Sequence, residues 1–549
     1  MNIIRPDISP PVDLTPRHLM GGPIRTAHPD YVDHLPPCNQ GCPAGEDIQG
    51  WLALAQAGKF EKAWQHLTRD NPMPAVHGRV CYHPCETACN RAELDSSVGI
   101  HAVERFLGDQ AARHNWVLPV DASPSGKRVL VVGAGPGGLS AAFHLTRLGH
   151  QVEIHEAGAL PGGMLHFGIP AYRLPRDVLM MEIARIEAMG VRILLNRKVE
   201  DLLAEQADGK FDAVFLAIGA QAARPIDIPA HDAAHVTSAV SLLHDVGAGG
   251  APKIGRRVVI YGAGDTAMDA ARTAKRLGAE QELIVFFSDR AHMEAHGFEA
   301  EEALAEGIQI KWLSSIREIG AEALKVEVMA LDGKGVPQPT GRFETLPADS
   351  VVMALGQKAE SGFLRGIPGL EIGSDGTVAV GPDMMTGHAG IFAGGDLVAG
   401  AHTVTAATGH GKKAARNIDG WLRRRPYVPE PKHSVIGFAD LHLPLFSDAL
   451  ASIQPETPPD RRDGFAEVTA GLGEAAALHE AKRCLSCGNC YECDICYAAC
   501  PEEAIVKLGP GDGFEVNMSL CTGCGVCFEQ CPCHAIDMVP EMQGLGVRP

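Results

Sequence analysis

The chain has 549 residues, 45% of them hydrophobic, and a formal net charge of -19 from 67 acidic and 48 basic side chains. At ~150 residues per domain this length predicts about three or four domains, and the acidic balance argues against nucleic acid and anionic membrane surfaces as partners. The opening residues hold no apolar core of signal-peptide length and no apolar run long enough for a membrane span appears, so the chain reads as cytoplasmic and its 16 cysteines read as metal ligands, not disulfides.

Residues 1–120 carry Cys38, Cys42, Cys81, Cys85 and Cys89 among short amphipathic helical stretches such as Ile48 to Leu54. A Pro, Ser and Gly segment at 121–126 reads as a linker. Behind it an apolar strand runs into Gly133-x-Gly135-x2-Gly138 and a helix of small residues, and Glu156 closes the following strand. Glycines at this spacing let a pyrophosphate approach the backbone at a helix N-terminus, while the carboxylate takes ribose hydroxyls. A glycine turn without a ligand is the bland alternative; strand, helix and acid together favour a dinucleotide site. A second unit, beginning at Val258, repeats the logic through Gly262, Gly264, Asp265 and Thr266, with Ala267 at the third glycine position. Strand, glycine turn and helix, met twice, predict doubly wound α/β domains. Further on, Gly394-Gly395-Asp396 precedes a helix expected to begin near Thr405. That turn would suit a flavin's ribityl and pyrophosphate, although an ordinary strand turn looks similar.

A Pro-rich, irregular stretch from Pro426 to about Gly473 leads to two cysteine runs. They are Cys490-x2-Cys493-x2-Cys496-x3-Cys500-Pro501 and Cys521-x2-Cys524-x2-Cys527-x3-Cys531-Pro532. This is the bacterial two-cluster ferredoxin pattern, in which the fourth cysteine of each run crosses to the other [4Fe-4S] cubane. Paired C-x2-C units also hold structural zinc, but zinc gives no reason for a fourth cysteine followed by proline, twice.

Taken in order, Gly133 to Gly138, then Gly162-Gly163-Met164 with Gly168-Ile169-Pro170 and Arg173-Leu174-Pro175, then Gly264 to Asp269, then Gly394-Gly395-Asp396 resemble the small subunit of bacterial glutamate synthase. The same module is similar to the N-terminal part of dihydropyrimidine dehydrogenase and to the flavin subunit of NADH-dependent ferredoxin:NADP oxidoreductase. The resemblance covers roughly residues 35 to 425. It implies a helical iron-sulfur domain (1–120), then an FAD domain (121–245 and 346–425) interrupted by a NAD(P) domain (246–345). Gly163, Arg173, Gly395, Asp396 and Thr405 are then cofactor-binding positions alongside the two glycine fingerprints. A linker (426–478) and a ferredoxin-like α+β domain (479–549) complete the expected architecture. No amidotransferase half or pyrimidine-reducing barrel is present.

The resemblance also assigns the N-terminal cysteines. Cys42, Cys81 and Cys85 would hold one cluster, completed by the side chain aligned at Glu104. Cys38 and Cys89 would hold another but lack the family's opening C-x2-C. The phrase Glu480-Ala481-Lys482-Arg483-Cys484-Leu485-Ser486-Cys487-Gly488 looks like that missing opening, displaced to the far end of the chain. Cys484 and Cys487 are therefore expected to complete the cluster of Cys38 and Cys89, giving four [4Fe-4S] clusters and leaving only Cys533 over. The alternative is that this pair binds nothing.

Hydride transfer moves two electrons and a cubane takes one, so a flavin is expected between nicotinamide and clusters. NADPH-using relatives carry tandem arginines after the second strand of the NAD domain. This chain has Phe287 and Ser288 there, followed by Arg290, which favours NADH over NADPH because charge-assisted hydrogen bonds to a 2'-phosphate are lost. The expected function is an electron-transfer flavoenzyme linking NAD(H) to a ferredoxin or a catalytic oxidoreductase subunit, within a hetero-oligomer. Two other readings stay open: a self-contained flavoenzyme reducing an organic substrate, and a non-catalytic scaffold.

Overall fold

The computed structural model describes residues 25–118, 120, 122–223, 228–229 and 235–541. Five parallel strands form the first nucleotide-binding sheet, in the order Ile391–Ala393, Ala213–Leu216, Arg128–Val132, Gln151–His155 and Arg192–Leu194. Val129, Leu130 and Val131 are fully buried, as expected of a central parallel strand covered by helices on both faces. The chain leaves this strand through Gly133 at φ +104°, where a Cβ would stand 2.5 Å from the Ala217 carbonyl, so only glycine can turn here. Pro136 then opens the helix Pro136–Arg147, where its missing N–H costs nothing.

The second sheet is also parallel, in the order Gln309–Lys311, Gln281–Val285, Arg257–Tyr261, Ser350–Met353 and His235–Ser238. A three-stranded antiparallel sheet (Ser314–Ile319, Ala323–Leu331, Pro337–Pro347) follows its outer strand. The expected limits of 246 and 345 for this domain are therefore too narrow. His235–Ser238 lies before the first and Ser350–Met353 after the second, and both pair within the sheet. Short strands carry few residues of pattern, and only their pairing assigns them. A two-residue antiparallel pair, Ala222–Ala223 with Gln357–Lys358, joins the two crossings between the lobes.

Six short α-helices between Pro37 and His114 make the N-terminal domain. Its buried Trp51, Trp64, Val103 and Phe106 belong to the same continuous core as Val131 and Phe215 of the first sheet, so the two domains share one apolar interior.

Two further expectations need correction. The stretch 426–478 is a strap, not a free linker. Its Glu467 pairs with Arg79 (2.7 Å) and Arg105 (2.9 Å), its Arg462 pairs with Glu306 of the second lobe (3.4 Å), and the helix Glu474–Lys482 begins inside it. Buried guanidiniums demand such partners, since an unpaired interior charge costs several kcal/mol. The N-terminal segment is likewise not wholly part of the helical domain. Strand Ala27–Tyr31 pairs antiparallel with Ile536–Pro540, so the beginning of the described chain completes the C-terminal lobe. That lobe otherwise contains the hairpin Ile505–Gly509 with Gly513–Val516 and two short helices, Ile495–Ala499 and Val526–Glu529.

Candidate redox site

One cavity of about 940 Å³ brings the nucleotide motifs together, at the upper end of the range of roughly 300–1,000 Å³ for small-molecule sites. Gly133, Gly135, Glu156 and Gly163 line one part, Gly395 and Asp396 another, and Asp265 and Thr266 the end that belongs to the second lobe. Glu156 accepts hydrogen bonds from the N–H of Ala134 (2.8 Å) and Gly158 (2.7 Å), fixing the glycine turn. Gly163 sits at φ +53° with its ideal Cβ 3.0 Å from the Cα of Gly135, so two backbones meet where a flat or phosphorylated ligand must pass. Burial raises the Asp396 carboxyl, opposed by His402. Asp265 accepts from the His296 N–H (2.9 Å) at the start of the helix Asp265–Arg276. Gly138 packs against the Gly133 carbonyl and Gly262 against the Ala354 carbonyl; both are shape requirements of their turns, and Gly264 supplies the N-cap of the second helix.

Of three further expected cofactor positions, Arg173 lines the cavity, and Arg290 and Thr405 do not. Arg173 reaches the cavity wall, and its guanidinium pairs with Asp269 (2.7 Å) and Glu299 of the second lobe, so its charge also joins the two lobes. Arg290 is largely exposed, 3.8 Å from Glu301, and is not among the lining residues. Thr405 lies in the first turn of Val404–Leu422, capped by Thr403, and its hydroxyl donates to the Cys81 sulfur (3.0 Å). Helix phase decides this: Thr403, Val404 and Ala407 face the cavity, and Thr405 faces the N-terminal domain.

Cys81 is flanked by Val80 and Tyr82, both of which line the cavity. Burial, then the neighbouring Glu104, push its thiol up to about 12. Cys42 and Cys85 adjoin it: burial raises the Cys85 thiol, with further contributions from Glu86, Cys42 and Cys81. Glu104 is buried beside them, accepting from Asn71 Nδ2 (2.6 Å). Sequence reasoning missed Glu46. It accepts from the same amide (3.1 Å), lies within 4.8 Å of Glu104 and His77 by ligand atoms, and is the first charged group acting on Cys42 after burial itself. No spacing rule marks a glutamate four residues after a cysteine.

Cys38, Cys89, Cys484 and Cys487 line a second, small cavity together with apolar Pro36, Leu52, Val98 and Ile100. Burial raises the Cys38 thiol, then Cys484, Cys89 and Cys487 in that order. Cys484 is held by Arg483, which is 1% exposed. That guanidinium pairs with Glu480 (2.8 Å) and Asp95 (3.1 Å) and donates to the carbonyls of Ser96, Ser97 and Ala449. Asn90 Nδ2 donates to the Cys487 sulfur (3.4 Å). In the C-terminal lobe, Cys490 is exposed, Cys493, Cys500, Cys521 and Cys524 are half-buried, and Cys496, Cys527 and Cys531 are buried. Cys533 is also buried, its sulfur 3.8 Å from that of Cys531.

Residues 127–411 match the pattern of pyridine nucleotide-disulphide oxidoreductases. The chain belongs to that family. Residues 33–116 match dihydropyrimidine dehydrogenase domain II, a 4Fe-4S domain, and residues 514–537 match a 4Fe-4S binding domain. The oxidoreductase is 34% identical to the NADP(+)-dependent formate dehydrogenase subunit beta of Moorella thermoacetica, over 82% of this chain and 70% of that protein. It is 31% identical to the NADPH-Fe(3+) oxidoreductase subunit beta of Geobacter sulfurreducens, over 83% and 76%. It is also 31% identical to the glutamate synthase [NADPH] small chain of Escherichia coli, over 70% and 89%, which bears out the resemblance read from the motifs. The oxidoreductase binds FAD and [4Fe-4S] clusters, and its residues fit both groups: a glycine-walled cavity for one, buried thiol sets for the other. No cysteine occurs between Cys89 and Cys484, so the matched region has no thiols for dithiol chemistry. Among the described residues, no helix is long and apolar enough to cross a membrane.

Proposed function

We propose that this oxidoreductase passes electrons between NAD(H) and a ferredoxin or a catalytic oxidoreductase subunit, as the nicotinamide-linked member of a cytoplasmic hetero-oligomer. The observation that carries the reading is the common cavity: Gly133 and Gly135 of the first fingerprint line it, as do Asp265 and Thr266, which follow the second, and Val80 and Tyr82, the neighbours of Cys81. When bound, FAD supplies the exchange of a hydride for two single electrons. Glu156 would take ribose hydroxyls of the flavin nucleotide, and Gly135 and Gly395 would leave its pyrophosphate against bare backbone. Asp265 and Thr266 would orient the nicotinamide nucleotide, and Tyr82 would keep water from the Cys81 side.

The thiol sets support four cubanes: Cys42, Cys81 and Cys85 with Glu104 or Glu46 as oxygen ligand, Cys38, Cys89, Cys484 and Cys487 as a set drawn from both chain ends, and the two ferredoxin sets. Relatives named as beta subunits of a formate dehydrogenase and an Fe(3+) reductase support the place in a larger complex. NADH preference is part of the proposal, although those relatives are named for NADP. It rests on Phe287 and Ser288 at the expected arginine positions and on Asp289, whose carboxyl His292 holds below its usual range. An ionised carboxylate there repels a 2'-phosphate.

Anaerobic addition of NADH tests the reading. Flavin and cluster absorbance should bleach without any other substrate, and a viologen dye should then be reduced. Failure to bleach would sink it. In a companion test, Cys484→Ser should remove one cubane's iron per chain; unchanged iron and an unchanged cluster signal would remove Cys484 from the ligands.

A further inference from the structure

The strand Ala27–Tyr31 pairs with Ile536–Pro540, and Tyr31 stands opposite Ile536. This places the phenol in the C-terminal lobe, beside Cys496, which is 465 residues away in sequence. Its oxygen lies 3.1 Å from the sulfur of Cys496 in a part-buried contact, and its ring stacks on Phe514 at 6.1 Å between centroids and 20° between planes. A ligated cysteine is a thiolate and cannot donate, whereas a phenol with an ordinary pKa near ~10 is protonated at neutral pH. The hydroxyl is therefore the donor.

We propose that Tyr31 is a potential-tuning donor to the ferredoxin cubane held by Cys490, Cys493, Cys496 and Cys531. The inference rests on the cluster reading above. Reduction adds one electron to a cubane, and the added charge is spread over its sulfurs and thiolates. A hydrogen bond to one of those sulfurs stabilises the reduced form more than the oxidised form, which raises the potential. Tyr491 also reaches this set, through Cys493. The other ferredoxin set differs. Among the described residues, Cys500 and Cys521 accept only from backbone N–H groups of Ala504 and Gly523, and no side-chain hydroxyl bonds to Cys524 or Cys527. The cubane beside Tyr31 therefore has the higher potential of the two, and Tyr31, one of the two phenols that reach it, comes from a segment outside the ferredoxin sequence.

The test is an EPR-monitored redox titration of full-length holoprotein. Tyr31→Phe keeps the strand and the ring stack and deletes only the hydroxyl. Iron and FAD per chain should stay at wild-type levels, and the midpoint of one ferredoxin cubane should move to a more negative value while the other holds. Phe514→Leu, which weakens the stack but leaves the hydroxyl, should not reproduce that shift. Unchanged midpoints with full iron would overturn the proposal. A loss of iron in Tyr31→Phe would also overturn it, assigning the side chain to holding the lobe together. Wild-type protein without ferredoxin-type signals would instead sink the cluster reading itself.

Discussion

The hydroxyl of Thr405 donates to the sulfur of Cys81 across 3.0 Å, a side-chain hydrogen bond between the flavin lobe and the iron-sulfur domain. The neighbouring Thr408 hydroxyl meets His77 Nε2 at 3.1 Å, and the other ring nitrogen of His77 meets Asn71 Oδ1 at 2.6 Å. A continuous polar seam therefore runs from the helix Val404–Leu422 to the carboxylates of Glu46 and Glu104, which Asn71 bridges.

Thr405→Val removes the donor with little change in volume. Reduction adds charge to that sulfur and strengthens the hydrogen bond, so without it reduction of the Cys81 cluster should become less favourable. The upper bound is roughly tenfold, reached when the difference equals the about 1.5 kcal/mol of a whole charged hydrogen bond. NADH-dependent reduction of a flavin-accepting dye should be unaffected, because the side chain faces away from the cavity. A variant with an unchanged midpoint for that cluster would show that the contact does not act on it.

Arg483→Met should leave the buried Glu480 without its cation, whereas Asp95 keeps its pairing with Arg91. Breaking such a buried pair costs about 3–5 kcal/mol, concentrated where the helix Glu474–Lys482 docks. The iron of the Cys38, Cys89, Cys484 and Cys487 set should fall selectively while FAD content holds. Full iron in this variant would mean that Arg483 does not position Cys484.

Phe287→Arg introduces a cation at an exposed position (39% accessible), without disturbing buried Ser288. One charge-assisted hydrogen bond to a 2'-phosphate contributes about 1.5–3 kcal/mol. The ratio of kcat/KM for NADPH over NADH should rise by roughly ten- to one-hundred-fold. Wild-type protein should favour NADH in the same assay, and a wild-type preference for NADPH would refute the assignment.

Glu306 answers to pH. Burial opposes its ionisation, but hydrogen bonds from Arg276 and Arg272 outweigh it and hold the carboxyl at about 2. A folded pKa below the unfolded one contributes stability above the unfolded value, near ~4.3, and that stability is lost as pH falls toward 2. Glu306→Gln should therefore unfold more easily at neutral pH, by about 3 kcal/mol. The gap from wild type should close between about pH 4.5 and 2. Denaturation midpoints across that range are the measurement; a gap independent of pH would assign the loss to packing.

The sequence by itself determined the local chemistry. Gly133 to Gly138 with Glu156, Gly262 to Thr266, and the two ferredoxin runs are legible because each motif closes a turn or wraps a ligand within a few residues, so spacing along the chain fixes spacing in space. The phrase around Cys484 and Cys487 kept its local form, and the fold brings that pair to Cys38 and Cys89 at one small cavity. Tertiary structure decided what spacing cannot. Tyr31 reaches Cys496 because an edge strand pairs across almost the whole chain, and Glu467 reaches Arg79 and Arg105 because buried guanidiniums need a partner from any segment that can supply one. Arg173 turns to Asp269 and Glu299, and Thr405 to Cys81, because the packing of one lobe against another selects which face of a helix or loop meets the cavity. Those choices are set by long-range burial and charge pairing, and a linear pattern carries no record of them.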